Sequence, residues 1–447
     1  MDDRSLVLQG LISELESNLS RNWHCSFTLS SKGQTWKVGS WLKIDKNFRE
    51  KGDLEVPYHH VGCAESSACS EKFSSSTCEK NVDIGCCDED NHKRVSRSFM
   101  KESESWLMKI KECSVNCGKI VVKLKRRDVF MEVLRSIHSK GLDFGTLDDR
   151  GEVVSLTTDL VPGDSDLSLL RLALTTKVLR RILEKLGYEV CDHPTSKECL
   201  YKVLFTINPS VRASNVSTLV CGVVRNILSH KKEVDIDADS YRRMREKDVE
   251  QASVHKYGPS VLQPSWKTFL AAVTDSVITV DLLCTKPSQP VSLDLQDKFV
   301  LNRERSSKGA TFLLYNYARL VSILKQFDEK VSEGIYPPIV PIENADFSLL
   351  SLEEEWMLVY CYLMPYPSLL AQLVKPKELK FDIHTLLKYM QDLCKCLSAY
   401  YSRVHILTEP RKHLLPMMYS RLHLISGVKI LMQSIFTLFD IIPVSQM

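Results

Sequence analysis

Five cysteines, Cys63, Cys69, Cys78, Cys86 and Cys87, crowd one serine-rich stretch, with His59, His60 and His92 beside it. Thiolates and imidazoles are zinc ligands, but a structural zinc site takes them as pairs two to four residues apart, each pair clamping the ion from one tight turn. The gaps here are irregular and no CxxC occurs anywhere in the chain. The stretch therefore reads as a flexible insertion with free thiols, and no metal is expected. Phosphate-handling motifs are missing as well. There is no GxxxxGK[ST], no GxGxxG after a strand, no HExxH and no GxSxG, while Gly141 and Gly145 are wrongly spaced in a turn-like stretch. No catalytic residue and no cofactor are expected. Cations beside aromatics remain: Arg403, Arg411, Lys412 and Arg421 lie near the join of the last two predicted helices, among His405, His413, Tyr400 and Tyr401. Phosphates need positive charge and unstacked bases need flat surfaces, so such a set suits single-stranded RNA. The four cations are candidates for phosphate contact, although the same composition also describes a solvated face on an ordinary bundle.

Charge is local. Lys and Arg total 59 against 56 for Asp and Glu, a net charge of +3, so no global basic field announces a nucleic acid and such a partner must be met by a patch. The run from Lys93 to Arg127 carries an excess of eight positive charges, and Arg242, Arg243, Arg245 and Lys247 form a smaller cluster. The first twenty residues mix charge with apolar groups, unlike a signal peptide, and no unbroken apolar run is long enough for a membrane span. The 15 cysteines are odd in number and come without a secretory signal, so a disulfide framework is not expected. The chain reads as cytoplasmic, with neither membrane nor DNA as partner.

The elements that must position these residues change type along the chain. Leu6, Leu8, Leu11, Ile12, Leu15 and Leu19 predict an opening amphipathic helix, followed by strands at Ser26–Thr28 and around Trp36, Val38 and Trp41. Residues 61–105 lack apolar periodicity and read as a long disordered loop. Beyond it come a strand at 119–124, a helix over Val129–Ile137, a strand at 152–156, a helix from Asp166 to Leu186 stopped by Gly187, and a buried strand from Leu219 to Val224. Strands alternating with helices predict an α/β unit. After residue 308 the pattern is helical only, over Phe312–Val331, over Glu353–Val374 with interruption at Pro365 and Pro367, over Leu386–Val404, and over Leu415–Phe439 with Pro416 in its first turn. Residues Leu386 to Leu397 read as packing.

The ordered blocks of the last 140 residues resemble the DALR anticodon-binding domain of arginyl-tRNA synthetases. Phe312-Leu-Leu-Tyr315-Asn-Tyr-Ala318-Arg319-Leu320-Val-Ser-Ile-Leu324 is similar to the family's Y-x-x-Y-A-H-A-R-L-x-S-I-L helix, with Tyr317 in place of the histidine. Glu353 to Pro367, Leu397-Ser-Ala-Tyr400-Tyr401-Ser-Arg-Val404, Arg421-Leu422 and the tail Ile442-Pro443-Val-Ser-Gln-Met447 follow in the family's order. Upstream, strand 152–156, Asp166-Leu-Ser-Leu169-Leu170-Arg171 and Leu179–Val190 are similar to a synthetase strand, its H-V-G-H-L-R signature and the helix after it. Both signature histidines are replaced, by Asp166 and Leu169, and the glycine by Ser168. Those histidines stabilise ATP phosphates as the adenylate forms; a leucine cannot donate and an aspartate repels the anion. No KMSK-type loop is present.

The combination resembles the animal family of DALR anticodon-binding domain-containing proteins, synthetase-like and non-catalytic, through blocks such as Asp346-Phe-Ser-Leu-Leu350 and Glu409-Pro-Arg-Lys-His-Leu414. The resemblance implies a class I synthetase-like, degenerate α/β N-terminal part followed by an all-α helical-bundle DALR domain. Residues 1–150 are then a synthetase N-terminal-like α+β region with its disordered insertion, 151–300 a degenerate nucleotide-binding-like domain without the signature histidines, and 308–447 the bundle. It also implies a tRNA-binding adaptor that recognises arginine tRNAs and presents them to a partner methyltransferase, which brings S-adenosylmethionine and makes 3-methylcytidine in the anticodon loop. Tyr315, Arg319, Tyr401 and Met447 are the base-contact candidates carried over by position. The alternatives are a protein–protein scaffold without RNA and a divergent arginyl-tRNA synthetase.

Overall fold

The computed structural model describes residues 119–444 apart from 161–162, 164, 193–198, 212–214 and 296–308, together with Phe48, residues 52–57, 93, 96–97, 100–101, 103–106 and 108–116. The predicted opening helix, the first predicted strands, and the cluster from Cys63 to Cys87 with its histidines lie outside the described residues. The segment read as disordered over 61–105 needs correction at its end. Lys93, Ser96, Arg97, Met100, Lys101 and Ser103 are helical, and Ser103 is buried, its hydroxyl accepting from the Ile110 N–H at 3.1 Å. The Ser103 hydroxyl also donates to the Met100 carbonyl oxygen at 2.8 Å, a buried polar link that composition does not reveal.

In chain order the elements are β1 (Leu54–Pro57), β2 (Ile110–Asn116), β3 (Lys119–Leu124), α1 (Arg126–Lys140), β4 (Glu152–Thr158), α2 (Leu167–Lys185), β5 (Tyr188–Cys191), β6 (Tyr201–Thr206), β7 (Ser217–Val220) and β8 (Val224–Asn226). Then follow α3 (Ala238–Tyr257), α4 (Lys267–Leu283), β9 (Val291–Leu293), α5 (Ala310–Ser332), α6 (Glu353–Met357), a π-helical turn (Leu358–Leu363), α7 (Tyr366–Leu373), β10 (Val374–Lys375), β11 (Lys380–Phe381), α8 (His384–Arg403) and α9 (Leu415–Phe439). Two sequence expectations are corrected. The single strand over 219–224 is two strands in different sheets, divided at Cys221-Gly222-Val223. The helical region after 308 also contains the short antiparallel pair β10–β11.

Local chemistry sets the boundaries. Asp166 caps α2 by accepting from the Ser168 N–H, and Gly187 ends the segment at φ +77°, where an added Cβ would sit 2.1 Å from the Asp148 carbonyl oxygen. Pro416 falls in the first turn of α9, where its missing N–H has no intrahelical partner to lose. α9 is long and apolar enough to match a membrane span, yet 67% of its apolar window is buried within the protein.

The described chain divides into two compact units, neither of which follows sequence order. The first comprises Met1–Ser136, Ile339–Pro365 and Arg411–His423; the second comprises Ile137–Pro338, Tyr366–Pro410 and Leu424–Met447. The boundaries 1–150, 151–300 and 308–447 thus mark where the element types change and not where the compact units lie. The first unit is built on an antiparallel sheet of order β1-β3-β2. Val129, Phe130 and Val133 of α1 are buried in it together with Phe48, Phe347 and Tyr360, whose rings stand about one contact apart (Phe48–Tyr360 centroids 5.3 Å). Two buried carboxylates are neutralised in parallel fashion. Asp53 accepts from the Leu124 N–H at 2.7 Å and from Arg126 at 2.9 Å; Glu355 accepts from the Leu352 N–H and from Arg421, both at 3.0 Å.

The second unit contains a four-stranded parallel sheet, order β5-β4-β6-β7, with α2 as the crossover from β4 to β5. A two-stranded parallel pair, β8–β9, packs its Val224, Val291 and Leu293 with Leu167, Tyr241, Ile278 and Leu282. Helices α5 and α8 bury Leu313, Leu314, Tyr317 and Leu320 with Leu386, Leu387, Met390, Leu393, Leu397 and Tyr400, the packing read from their three/four spacing.

One buried cation organises this unit. Arg171, on α2 and 1% exposed, donates to the carbonyl oxygens of Gly222, Leu282, Thr285, Lys286 and Gln289 at 2.5 to 3.2 Å. Gly222 is needed because a Cβ there would fall 2.2 Å from the Gln289 carbonyl carbon. Replacing Arg171 by Met keeps the apolar stem and leaves five carbonyls without that donor. Urea unfolding should show a loss on the order of 3–5 kcal/mol, with Arg171→Lys recovering only part, because an ammonium cannot reproduce the planar fork of donors.

Candidate nucleic-acid interface

In the second unit, α5 carries Tyr315 and Arg319, and α8 carries Tyr401 and Arg403. The two helices are tied by a polar bridge. Asn316, itself buried, donates to the Phe312 carbonyl oxygen at 2.8 Å and accepts from the Ser398 hydroxyl at 2.9 Å. That register brings the Arg319 guanidinium over the Tyr401 ring at 4.5 Å. Tyr401 is 7% exposed, its hydroxyl lacks a hydrogen-bond partner among the described residues, and burial pushes its phenol far above the ordinary value. The ring is therefore a neutral floor that orients Arg319. Tyr315, by contrast, is 42% exposed and has Lys256 Nζ 5.3 Å from its ring centroid. Arg403 is exposed at the last position of α8. Tyr317, where the synthetase pattern has histidine, is a core residue, edge-on to Phe436 at 5.4 Å.

In the first unit Arg411 and Lys412 are exposed before α9. Arg421 is differently engaged: its side chain is 15% exposed and its Nε donates to the fully buried Glu355. Its charge answers a carboxylate inside the protein. The basic run from Lys93 to Arg127 is also partly neutralised from within, by Lys123–Glu112 at 2.9 Å, Lys125–Glu104 at 3.3 Å and Arg126–Asp53 at 2.9 Å. Arg97, Lys101, Lys111 and Arg127 stay exposed. Of the eight candidates, the structure gathers Tyr315, Arg319, Tyr401 and Arg403 in one unit and Arg411, Lys412 and Arg421 in the other; Met447 lies outside the described residues.

Asp166, Ser168 and Leu169, aligned by resemblance with the synthetase signature, are built into capping and packing. Asp166 caps α2 and pairs with Lys232 at 2.6 Å; burial raises its pKa, but the bonds from Lys232 and Ser168 outweigh that and hold it below the ordinary carboxylate value. The Ser168 hydroxyl accepts from the Val224 N–H at 3.0 Å, and Leu169 is buried. A helix N-terminus can bind phosphate through its free N–H groups; here an internal carboxylate takes that position. Lys256, which meets Tyr315 from α3, was not readable from spacing, since 59 positions separate them and only the tertiary fold joins α3 to α5. The Arg421–Glu355 pair was missed for the same reason.

Residues 313–447 match the DALR anticodon binding domain family. Over 236 residues the chain is 30% identical to DALR anticodon-binding domain-containing protein 3 of Danio rerio, covering 51% of this chain and 41% of that protein, so the match spans about two-fifths of the relative's length. Among solved structures, arginyl-tRNA synthetase of Thermus thermophilus superposes with a TM-score of 0.60 at 12% identity, covering 98% of this chain and 100% of that one. The Plasmodium falciparum arginyl-tRNA synthetase gives 0.61 at 10% identity, covering 98% and 99%. The chain has the arginyl-tRNA synthetase fold and carries a helical DALR anticodon-binding region.

The contrast between Arg421 and Lys412 is measurable by thermal denaturation. Arg421→Met leaves the Glu355 carboxylate buried without its cation and should cost about 3–5 kcal/mol, lowering the melting temperature by several degrees. Lys412→Gln, at an exposed site, should leave it unchanged.

Proposed function

We propose that the chain is a non-catalytic, cytoplasmic tRNA-binding adaptor that recognises particular arginine tRNAs through its DALR region and presents them to a partner methyltransferase for 3-methylcytidine formation in the anticodon loop. The observation that carries the reading is the match of residues 313–447 to an anticodon-binding family, together with the exposed Tyr315 and the Arg319 guanidinium held on Tyr401 within that segment. A cation lying on a ring presents both charge for phosphate and a flat surface for a base. The absence of catalysis is supported by the signature positions. Asp166 places a carboxylate where a nucleotide phosphate would need a donor, and Leu169 is a buried apolar side chain. The sequence likeness to the Danio rerio protein, whose name records an anticodon-binding domain, supports the tRNA-binding part of the reading.

In this reading the second unit's α5–α8 surface contacts unpaired bases, while Arg411 and Lys412 supply phosphate contacts. The methyltransferase carries the S-adenosylmethionine, so this chain contributes selection alone.

Crosslinking the purified chain to total RNA and sequencing what is recovered should enrich arginine tRNAs; an even spread over tRNA species would remove the arginine-specific part. Arg411→Glu with Lys412→Glu should weaken tRNA binding and flatten its salt dependence by about 1–2 units of slope. Unchanged affinity and slope would take both residues out of the site. ATP–pyrophosphate exchange with arginine and tRNA should be at background, and robust exchange would restore the synthetase reading.

A further inference from the structure

A second cation–aromatic surface lies within the second unit, outside the DALR-matched segment except for Tyr315. Lys256, in the last turn of α3, has its Nζ 5.3 Å from the ring centroids of both Tyr257 and Tyr315. Tyr257 in turn stands 5.2 Å from Trp266, and Trp266 5.4 Å from Phe269. The rings thus form a row, Tyr315–Lys256–Tyr257–Trp266–Phe269, contributed by the end of α3, two short 3-10 turns, the start of α4, and α5. Tyr257, Trp266 and Phe269 are half-buried, and Lys256, Leu262, Gln263, Ser265 and Lys267 around them are exposed.

The sequence stretches that contribute the row carry cations and no acids, and are flanked along the chain by the carboxylates of Glu250, Asp275 and Asp328. No Asp or Glu occurs from Gln251 to Thr274, where His255, Lys256 and Lys267 do, and none occurs from Ala310 to Phe327, where Arg319 and Lys325 do. The backbone is also stiffened: Pro259 and Pro264 open the two 3-10 turns, and Val261, 1% exposed, anchors the loop between them. Rings held in place before binding lose little freedom when a ligand stacks on them. A protein partner would be expected to meet mixed charge around an apolar centre. A polyanion with flat, unpaired bases is what a row of rings flanked by ammonium groups complements.

We infer that the Tyr315–Tyr257–Trp266–Phe269 row, with Lys256 and Lys267, is a further RNA-contact surface that stacks unpaired nucleotides of the bound tRNA. The inference rests on the tRNA-binding reading and extends it beyond the DALR region.

The test uses the full chain and an in vitro transcribed arginine tRNA carrying 4-thiouridine. Ultraviolet crosslinking followed by peptide mapping should place adducts within residues 256–269. Trp266→Ala should weaken binding about tenfold with its salt slope unchanged, and Trp266→Phe should retain most of the affinity. Lys256→Gln should lower the slope by about one phosphate contact. Should Trp266→Ala lose its melting transition, Trp266→Phe, Lys256→Gln and the crosslink map still decide. If the wild-type chain binds the tRNA but the adducts fall elsewhere and Trp266→Ala and Lys256→Gln bind as wild type, this surface is rejected and the adaptor reading stands. If the wild-type chain binds no tRNA, both fall. Nuclease-resistant protein capture abolished by Trp266→Ala, with no RNA adduct at the row, would also overturn the inference.

Discussion

A guanidinium without a carboxylate, sealed in the interior and satisfied only by main-chain oxygens, is the constraint on which the second unit turns. Arg171 reaches from α2 to five carbonyls, one beside β8 and four in the segment after the middle of α4. A buried charge is tolerated only when its donors are answered, so these backbone stretches must keep their paths. The near contact of Gly222 with Gln289 follows from that demand, since both carbonyls converge on the same group. Once the stretches are fixed, β8 and β9 pair in parallel and the apolar cluster from Leu167 to Leu295 closes around them.

The N-terminal end of the same helix is held by capping and packing. Position 171 keeps the arginine of the synthetase pattern, and its work is internal. Positions 166, 168 and 169 have taken on capping, hydrogen bonding to the Val224 N–H, and burial respectively. Each side chain meets a local need: an acceptor at a helix N-terminus, a hydroxyl beside the Val224 N–H, an apolar group in a core. The fold persists at 10–12% identity to the solved synthetases.

Much of the fold was legible. The three/four spacing gave α5, α8 and α9 nearly to the residue, and strand-then-helix alternation gave β4 and α2, while β5, directly after Gly187, was not read as a strand. What failed was local: a run of apolar residues from Leu219 to Val224 reads as one strand, but Gly222 approaches another backbone and the chain changes sheets there. The compact units were not legible either, because each is assembled from three separated stretches and periodicity reports only on one helix or strand at a time. Tyr315, Arg319 and Tyr401 were named as candidates by resemblance, while the placement of Lys256 at Tyr315 and of Arg319 on Tyr401 arises from packing between elements.

Arginine makes the general point. A count of cations near the last two helices treats Arg319, Arg411 and Arg421 alike, yet their surroundings separate them. Arg421 faces a buried carboxylate, as Arg126 does at Asp53, and each carboxylate also takes a backbone N–H. Pulling such a cation outward to meet a phosphate would strand an ionised group in the core, a cost of several kcal/mol by general experience with buried pairs. Arg319 has an aromatic ring for its neighbour, which supports the guanidinium plane without neutralising it. A flat cation that keeps its charge can meet a base with its face and a phosphate with its edge, and on the proposed RNA-binding reading this is what sets Arg319 apart from Arg126 and Arg421.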